Sequence, residues 1–163
     1  APAMDKYLYF LRHATAEVIR PNQLDIDRCL IEKGRLQARR VAAFMQRYAI
    51  TPEAVFSSPY PRAVQTAAIV RKEAGLAQVQ ELPWLALETG AVTSSTLLRQ
   101  LLPNLPAHTL LVGHEPDLSA LISRLLDSGG SVFKIKKASL TCLCYQHDSQ
   151  TFQLEWSIPA KFM

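Results

Sequence analysis

The feature that most constrains the fold is the alternation of short apolar runs with segments of helical periodicity. Residues 7–11 are apolar at every position, which is typical of a strand in a sheet whose two faces are both covered. After a loop that ends near Leu30, small and hydrophobic residues recur at steps of three and four, the period of a helix with one buried side. These residues are Gly34, Ala38, Val41, Ala42, Met45 and Tyr48. A strand followed by a helix is the repeating unit of a parallel sheet.

Further helices continue this alternation. Pro61 suits the first turn of a second helix, and Gly75 would end it. We predict that Thr93 or Ser94 caps a third helix, which ends at Pro103 because proline cannot continue it.

The remaining elements complete the expected architecture. Pro116 opens a fourth helix, and strands are predicted at residues 54–57, 79–82, 110–112, 132–135, 140–145 and 152–156. The last two strands are joined by a polar turn at residues 147–150 and form a C-terminal β-hairpin. The predicted fold is a three-layer α/β/α sandwich: a mostly parallel central sheet, joined by right-handed crossovers, with helices on both faces.

The composition is that of one globular domain, which we expect to span residues 4–163 after a cloning remnant at residues 1–3. Hydrophobic residues make up 48% and charged residues 20% of the 163 positions. The three cysteines are an odd number, and Cys142 and Cys144 are too close along one strand for an unstrained bridge. Neither a Cys-x-x-Cys pair nor a histidine cluster offers a zinc site, and no apolar run approaches the ~20 residues of a membrane helix. We expect a soluble cytoplasmic protein with reduced thiols.

The net charge of +4 would suit an anionic partner such as nucleic acid, but the basic residues are scattered along the chain. Lys134, Lys136 and Lys137 form the one local cluster, and they alternate with Phe133 and Ile135. This alternation predicts the solvated face of a strand, and we expect neither a nucleic acid nor a membrane as a partner.

Unusual polar residues follow three of the predicted strands. These are Arg12-His13, Ser57-Ser58 together with Arg62, and Gly113-His114. Ligands of α/β sheets bind beyond the carboxyl ends of the strands, so three separate segments converge on one edge of the sheet.

The residue types at this edge suit phosphoryl transfer. Arginine binds two phosphate oxygens at once and stays charged, and a neutral histidine ring has a lone pair that can attack phosphorus. We expect Arg12, Arg62 and His114 to surround a phosphate that His13 attacks, without a metal ion or a cofactor. Arg62, near the start of its helix, adds the positive end of the helix dipole.

The motifs themselves resemble those of the histidine phosphatase superfamily. The segments that carry the resemblance are 11–14 (Leu-Arg-His-Ala), 57–67 (Ser-Ser-Pro-Tyr-Pro-Arg-Ala-Val-Gln-Thr-Ala) and 112–116 (Val-Gly-His-Glu-Pro). Residues 25–34 are similar to the Arg-Pro-Leu-Thr-x-x-Gly run of the SixA-type phosphohistidine phosphatases. The resemblance implies that His13 is the phosphorylated nucleophile and that Arg12, Arg62 and His114 hold the phosphate. Ala14 stands where glycine is usual, Cys29 where proline is, and Ile31 where threonine is.

The shortness of the chain favours the SixA-type branch, because relatives with longer insertions cover their sites. An open pocket would admit phosphohistidine on the surface of another protein, so we predict a metal-independent phosphohistidine phosphatase. A phosphatase for a small phosphoester and a non-catalytic phosphate-binding module remain open alternatives. Glu88 is the candidate proton donor, since it is the one acid in the loop of residues 83–93, and Thr15 is a candidate phosphate contact.

Overall fold

The computed structural model describes residues 4–129 and 133–163 and contains a six-stranded sheet. The strands are β1 (Lys6–Arg12), β2 (Ala54–Ser57), β3 (Val79–Glu81), β4 (His108–Gly113), β5 (Leu140–Gln146) and β6 (Thr151–Ile158). In space their order is β3-β2-β4-β1-β5-β6. The first four in this order are parallel to one another, whereas β5 runs antiparallel to β1 and forms a hairpin with β6.

Four helices cover the two faces of the sheet. They are α1 (Glu32–Arg47), α2 (Pro61–Ala74), α3 (Ala91–Leu101) and α4 (Asp117–Leu125). Short 3-10 turns lie at Asp25–Asp27, Pro83–Leu85, Leu102–Asn104 and Ala160–Phe162. The predicted α/β sandwich, its mostly parallel sheet and its C-terminal hairpin are confirmed. No helix within the described residues is long and apolar enough to cross a membrane.

Strand β1 shows why a continuous apolar run was needed. Its side chains alternate between two cores, with Tyr9 and Leu11 on the side of α1 and α2, and Leu8 and Phe10 on the side of α3 and α4. All four are at most 5% exposed, so neither face of this strand can carry a polar side chain without a partner.

The boundaries of the helices differ from the sequence prediction at two places. Helix α3 begins at Ala91, before Thr93 and Ser94, so the prediction that one of these residues caps it is wrong. The chain turns earlier because Gly90 adopts a φ of 88°, a left-handed conformation that glycine reaches without strain. Tyr48, predicted in the buried stripe of α1, lies at the C-terminal cap of the helix and is 60% exposed.

One predicted strand is wrong in the part that the structure describes. Residues 133–135 form no strand, and Val132 lies outside the described residues. The segment is instead an irregular loop bound to the end of β1: the amide of Ala138 donates to the carbonyl of Arg12 at 3.0 Å. The Arg12 guanidinium donates to the carbonyl of Ile135 at 2.9 Å. Because this loop pairs with a strand end, its lysines do not share the face of a strand as we predicted.

Candidate active site

The strand order brings the three polar segments together. Strands β2, β4 and β1 are neighbours, and the register pairs Ser57 with Val112 and Arg12 with Gly113 at their carboxyl ends. The chain continues this pairing beyond the strands, because the amide of His13 donates to the carbonyl of Gly113 at 3.0 Å. The predicted convergence at one sheet edge is therefore present in the structure.

His13 is held in a single tautomer. Its Nδ1 lies 2.8 Å from the carbonyl oxygen of Ala14, which can only accept, so Nδ1 carries the proton. The other ring nitrogen, Nε2, is then a bare lone pair, and it has no hydrogen-bond partner among the described residues. A histidine nucleophile requires this arrangement: one nitrogen free and the other held as N–H.

Burial keeps this ring neutral. Loss of hydration lowers the pKa of His13 to about 4, and the positive charges of Arg62 and Arg12 act in the same direction, although the hydrogen bond to Ala14 opposes them. Burial, together with His13 and Arg62, also lowers the pKa of His114 to about 3. Both rings are therefore uncharged near neutral pH in the free protein, and their centroids lie 5.2 Å apart.

His114 is oriented by a residue that the sequence analysis left without a role. Its Nε2 lies 2.7 Å from the hydroxyl of Ser58, and the same hydroxyl oxygen accepts from the amide of Tyr60 at 3.2 Å. A hydroxyl can donate and accept at once, so this contact holds the His114 ring in place in either neutral tautomer. The other ring nitrogen of His114, Nδ1, is buried and has no partner in the described structure.

Arg62 is the most enclosed charge of the site. Its side chain is 3% exposed, and its guanidinium donates to the carbonyl of Asp25 at 2.7 Å and to the Asp25 carboxylate at 3.0 Å. The ring of Tyr60 lies 5.1 Å from the guanidinium carbon. The contact between Asp25 and Arg62 could not be foreseen from the sequence, because 37 positions separate the two residues.

Three buried nitrogens of this site lack a hydrogen-bond partner within the described residues. They are Nε of Arg12, Nε of Arg62 and Nδ1 of His114. Unsatisfied buried polar groups are uncommon in folded proteins, and each costs free energy until a partner arrives. All three belong to the residues predicted to hold a phosphate, whose oxygens are acceptors.

Thr66 links the loop that follows His13, here called the nucleophile loop, to helix α2, which carries Arg62. Its hydroxyl donates to the carbonyl of Arg62 at 2.7 Å and accepts from the amide of Ala14 at 3.0 Å. Position 14 is therefore fixed by backbone contacts, and it lies outside the left-handed region where glycine would be required. This explains why alanine is accommodated there, fully buried.

Neither of the two remaining candidates hydrogen-bonds to His13 within the described residues. Thr15 donates both its amide and its hydroxyl proton to Oε1 of Gln37, each at 2.9 Å, so the hydroxyl proton is engaged on helix α1 rather than offered to a phosphate. Glu88 is exposed, with a φ of 74°. Asp117 lies beside it, and burial and the charge of Glu88 raise the pKa of the Asp117 carboxyl.

A family model for the histidine phosphatase superfamily (branch 1) matches residues 8–86. The match includes Arg12, His13 and Arg62, and the structure adds His114, which directly follows strand β4. Over these residues the chain resembles the histidine phosphatase superfamily. No curated protein matches the sequence significantly.

Solved structures share the fold of this chain at low sequence identity. A protein histidine phosphatase SixA complexed with tungstate superposes with a TM-score of 0.85 at 21% identity, covering 96% of this chain and 98% of its own. A mycobacterial glucosyl-3-phosphoglycerate phosphatase gives 0.74 at 20% identity, covering 93% and 97%. A protein named mycobacterial hydrolase 1 gives 0.77 at 21% identity, with the same two coverages. Similarities at these identities establish the fold alone.

The donor set of this site is cationic. Within residues 4–129 and 133–163, no three His, Cys, Asp or Glu side chains form a group that could hold a metal ion. The charges that surround His13 are guanidinium groups, which supply positive potential and directed N–H donors to an anion.

Proposed function

We propose that this protein is a phosphohistidine phosphatase in which His13 is phosphorylated transiently. Arg12, Arg62 and His114 bind the phosphoryl oxygens, and the substrate is phosphohistidine on another protein. The observation that carries the proposal is the hydrogen bond from Nδ1 of His13 to Ala14, because it leaves Nε2 free inside a pocket of unsatisfied cationic donors.

In the first step, Nε2 of His13 forms a bond to phosphorus while the bond from phosphorus to the substrate histidine breaks. The substrate ring takes up a proton from water and leaves as neutral imidazole. In the second step, water attacks the phosphorus, the bond to Nε2 breaks, inorganic phosphate leaves, and the proton returns to solvent. Nδ1 of His13 keeps its hydrogen throughout, held by Ala14.

The pocket donors act on the charge that develops in both steps. Transfer of a phosphoryl group spreads negative charge over its equatorial oxygens, and fixed donors stabilise that charge without reorganising. An incoming dianion also favours protonation of His114, since opposite charges nearby raise the pKa of a histidine. His114 then donates from both ring nitrogens.

The position of Glu88 supports phosphohistidine over an alkyl phosphoester. An alkoxide leaving group is about as basic as hydroxide, with a conjugate acid of pKa ~15.7, and needs a proton in the transition state. Imidazole is a much better leaving group, since its conjugate acid has a pKa near ~6.5. Glu88 forms no hydrogen bond with His13 among the described residues, and a phosphohistidine substrate needs no enzymic acid.

A small phosphoester is the second candidate substrate. The glucosyl-3-phosphoglycerate phosphatase has the same fold, so the fold does not distinguish the two substrate classes. A substrate panel distinguishes them: protein-borne and free phosphohistidine, a sugar phosphate and an aryl phosphate, compared by kcat/KM. We expect phosphohistidine to be preferred by at least ~100-fold, roughly the contribution of the acid that an ester needs. Preference for the sugar phosphate favours the second candidate, and binding without turnover of any substrate favours the phosphate-binding module.

We also propose one domain over residues 4–163 and a reducing, cytoplasmic setting. All three cysteines have free thiols, and Cys142 and Cys144 are buried beside Tyr9 and Tyr7. Burial raises the pKa of Cys142 to about 12, so this thiol resists oxidation through its thiolate. These features support a compartment in which thiols stay reduced.

A further inference from the structure

A second cavity adjoins the phosphate pocket and is strongly basic. It has a volume of about 850 Å³, near the upper end of the ~300–1,000 Å³ range of ligand clefts. Six cationic side chains line it, and none of its lining residues is acidic. The six are Arg12, Lys33, Arg40, Lys136, Lys137 and Lys161. We call this cavity the basic cleft.

The basic cleft is a continuation of the site rather than a separate surface. Arg12 belongs to both: it adjoins His13 on one side and lines the cleft on the other. Its neighbours Thr15 and Gln37 also line the cleft, so the loop after the nucleophile forms part of the wall. A substrate held at His13 therefore extends directly into the cleft.

The lysines from the loop before β5 are fixed in place by that loop. The amide of Lys136 donates to the hydroxyl of Ser139 at 3.1 Å, and the amide of Ser139 donates to the carbonyl of Lys136 at 2.9 Å. The loop is bonded to Arg12 through Ile135 and Ala138, both of which are buried. The exposed side chains of Lys136 and Lys137 line the cleft, whereas that of Lys134, also exposed, lies outside it.

The opposite wall is helix α1, which is pressed against the nucleophile loop. A side chain at Gly34 would meet the carbonyl oxygen of Thr15 at 2.1 Å, so only glycine permits this approach. Lys33 and Arg40 are seven positions apart, or about two helical turns, and therefore lie on one side of the helix. Lys161 closes the cleft from the C-terminal 3-10 turn.

These charges have no carboxylate partners. Within the described residues, Lys33, Arg40, Lys136 and Lys137 form no ion pair, although Glu32 pairs with Arg39 on the adjacent side of α1. Gathering unpaired cations around one cavity disfavours folding through their mutual repulsion, and a bound anion relieves it. A single phosphoryl group, already met by Arg12 and Arg62, would not reach the lysines along the whole cleft.

We infer that the basic cleft binds an acidic segment of the phosphorylated partner protein, adjacent in space to its phosphohistidine. This inference rests on the proposed function and specifies its substrate class: protein-borne phosphohistidine flanked by Asp and Glu. Complementary charge steers association and selects among partners, so the cleft distinguishes phosphohistidine sites by the acidity of their surroundings. Exposed ion pairs are individually weak, and several of them together give a selectivity of roughly tenfold.

The test compares two synthetic phosphohistidine peptides that differ only in flanking residues, Asp and Glu in one and Asn and Gln in the other. We expect the wild-type protein to favour the acidic peptide about tenfold in kcat/KM at low salt, with the preference disappearing in 0.5 M salt because exposed charges are screened. In Lys33→Gln/Lys136→Gln/Lys137→Gln the ratio falls to about one. The control is Lys134→Gln, a charge change in the same loop outside the cleft, which keeps the tenfold ratio.

A binding arm separates this inference from the proposed function. The unphosphorylated acidic peptide, labelled with a fluorophore, is titrated by anisotropy against the wild-type protein and the triple variant. Tighter binding to the wild type supports the acidic-segment site even if no phosphohistidine is turned over. The inference is overturned, and the proposed function is kept, if phosphohistidine is turned over with equal kcat/KM for the two peptides and the labelled peptide binds equally to the wild type and the triple variant. The inference is also overturned if a short oligonucleotide binds the wild-type protein more tightly than the acidic peptide does. It is overturned as well if the triple variant loses as much kcat/KM for a small bisphosphorylated sugar as for the acidic phosphohistidine peptide.

Discussion

Asp25 occupies two donors of Arg62, with the backbone carbonyl 2.7 Å and the carboxylate 3.0 Å from the guanidinium nitrogens. The two residues are brought together by the loop between β1 and α1, where Asp25 also pairs with Arg28 at 2.9 Å. Arg62 is thereby fixed in direction, and its positive charge is partly compensated. A phosphoryl dianion bound nearby must share Arg62 with this carboxylate.

Replacing the Asp25 carboxylate should therefore strengthen binding of an anion. In Asp25→Asn, an amide oxygen still accepts a hydrogen bond from Arg62, but the negative charge is lost. We expect tungstate or inorganic phosphate to inhibit the variant up to about fivefold more tightly, because one partly exposed charge pair is worth at most ~1 kcal/mol. Inhibition constants at constant ionic strength measure the change. Asp27→Asn in the same turn is the control, since Asp27 forms no ion pair within the described residues. Weaker inhibition in Asp25→Asn would show that Asp25 mainly positions Arg62.

The lowered pKa of His13 predicts that the nucleophile stays neutral and active at unusually low pH. The nucleophile stays neutral until the pH falls toward about 4, whereas an ordinary histidine is half protonated near ~6.5. We expect the His13 and His114 ring signals in NMR titrations of the free protein to remain unshifted down to about pH 5. The acid limb of kcat/KM should then follow substrate ionisation rather than a group of pKa ~6.5. A titration of His13 with a midpoint near 6.5 would contradict the neutral, buried nucleophile.

The same pKa shift sets the sign of the stability change. Between pH ~6.5 and about 4 the unfolded chain takes up a proton on His13 that the folded protein refuses. The free energy of unfolding is therefore highest above pH ~6.5 and falls as the pH drops through this window. In His13→Asn, we expect denaturant midpoints to depend less on pH in that window than in the wild type.

Glu88→Gln separates the two leaving-group chemistries. We expect phosphohistidine turnover to stay within roughly tenfold of wild type, because imidazole leaves without an enzymic acid, while any slow alkyl phosphatase activity falls further. Asp117→Asn is the companion variant, since burial raises the pKa of Asp117 beside the Glu88 backbone. Single-turnover rates on phosphohistidine and on an alkyl phosphate measure both effects. Equal losses on the two substrates in Glu88→Gln would assign it a structural role and contradict the leaving-group explanation.

Gly34→Ala tests the close approach of helix α1 to the nucleophile loop. The added carbon would lie 2.1 Å from the backbone oxygen of Thr15, which cannot move without displacing the loop after His13. We expect a loss of roughly 1–3 kcal/mol in the free energy of unfolding, as for other overpacked positions, measured by the urea midpoint. Gly129→Ala is the control because a side chain there has nothing within 4 Å. Equal midpoints for the two variants would show that the helix can move away from the loop at little cost.

The convergence of the site could be predicted because it depends on local signals and one topological rule. Apolar runs located the strands, and the rule that ligands bind at carboxyl strand ends joined Arg12, Arg62 and His114 around His13. The contacts that orient these side chains could not be predicted, since the hydrogen-bond partners of Arg62 and His114 lie 37 and 56 positions away along the chain. No periodicity or motif encodes such pairs, which are fixed only once the loops are packed.

For the basic residues, too, local patterns in the sequence did not predict which side chains lie together in the fold. Along the sequence they look scattered, and the alternation at residues 133–137 predicted a strand. In the structure the loop binds the end of β1 instead, and its lysines meet those of α1 and the C-terminal turn in one cleft. The strand prediction failed because an alternating pattern describes local burial, whereas the hydrogen bonds of Arg12 decided the conformation.

Trapping the phosphorylated enzyme tests the central claim most directly. The protein is mixed with a labelled phosphoryl donor, quenched in base within milliseconds, and digested for mass spectrometry. We expect acid-labile, base-stable phosphate on His13, none in His13→Asn, and undiminished labelling in His147→Asn, whose ring is exposed in the β5–β6 turn. Label on another residue, or none on His13 while the enzyme turns over, would contradict the nucleophile assigned here.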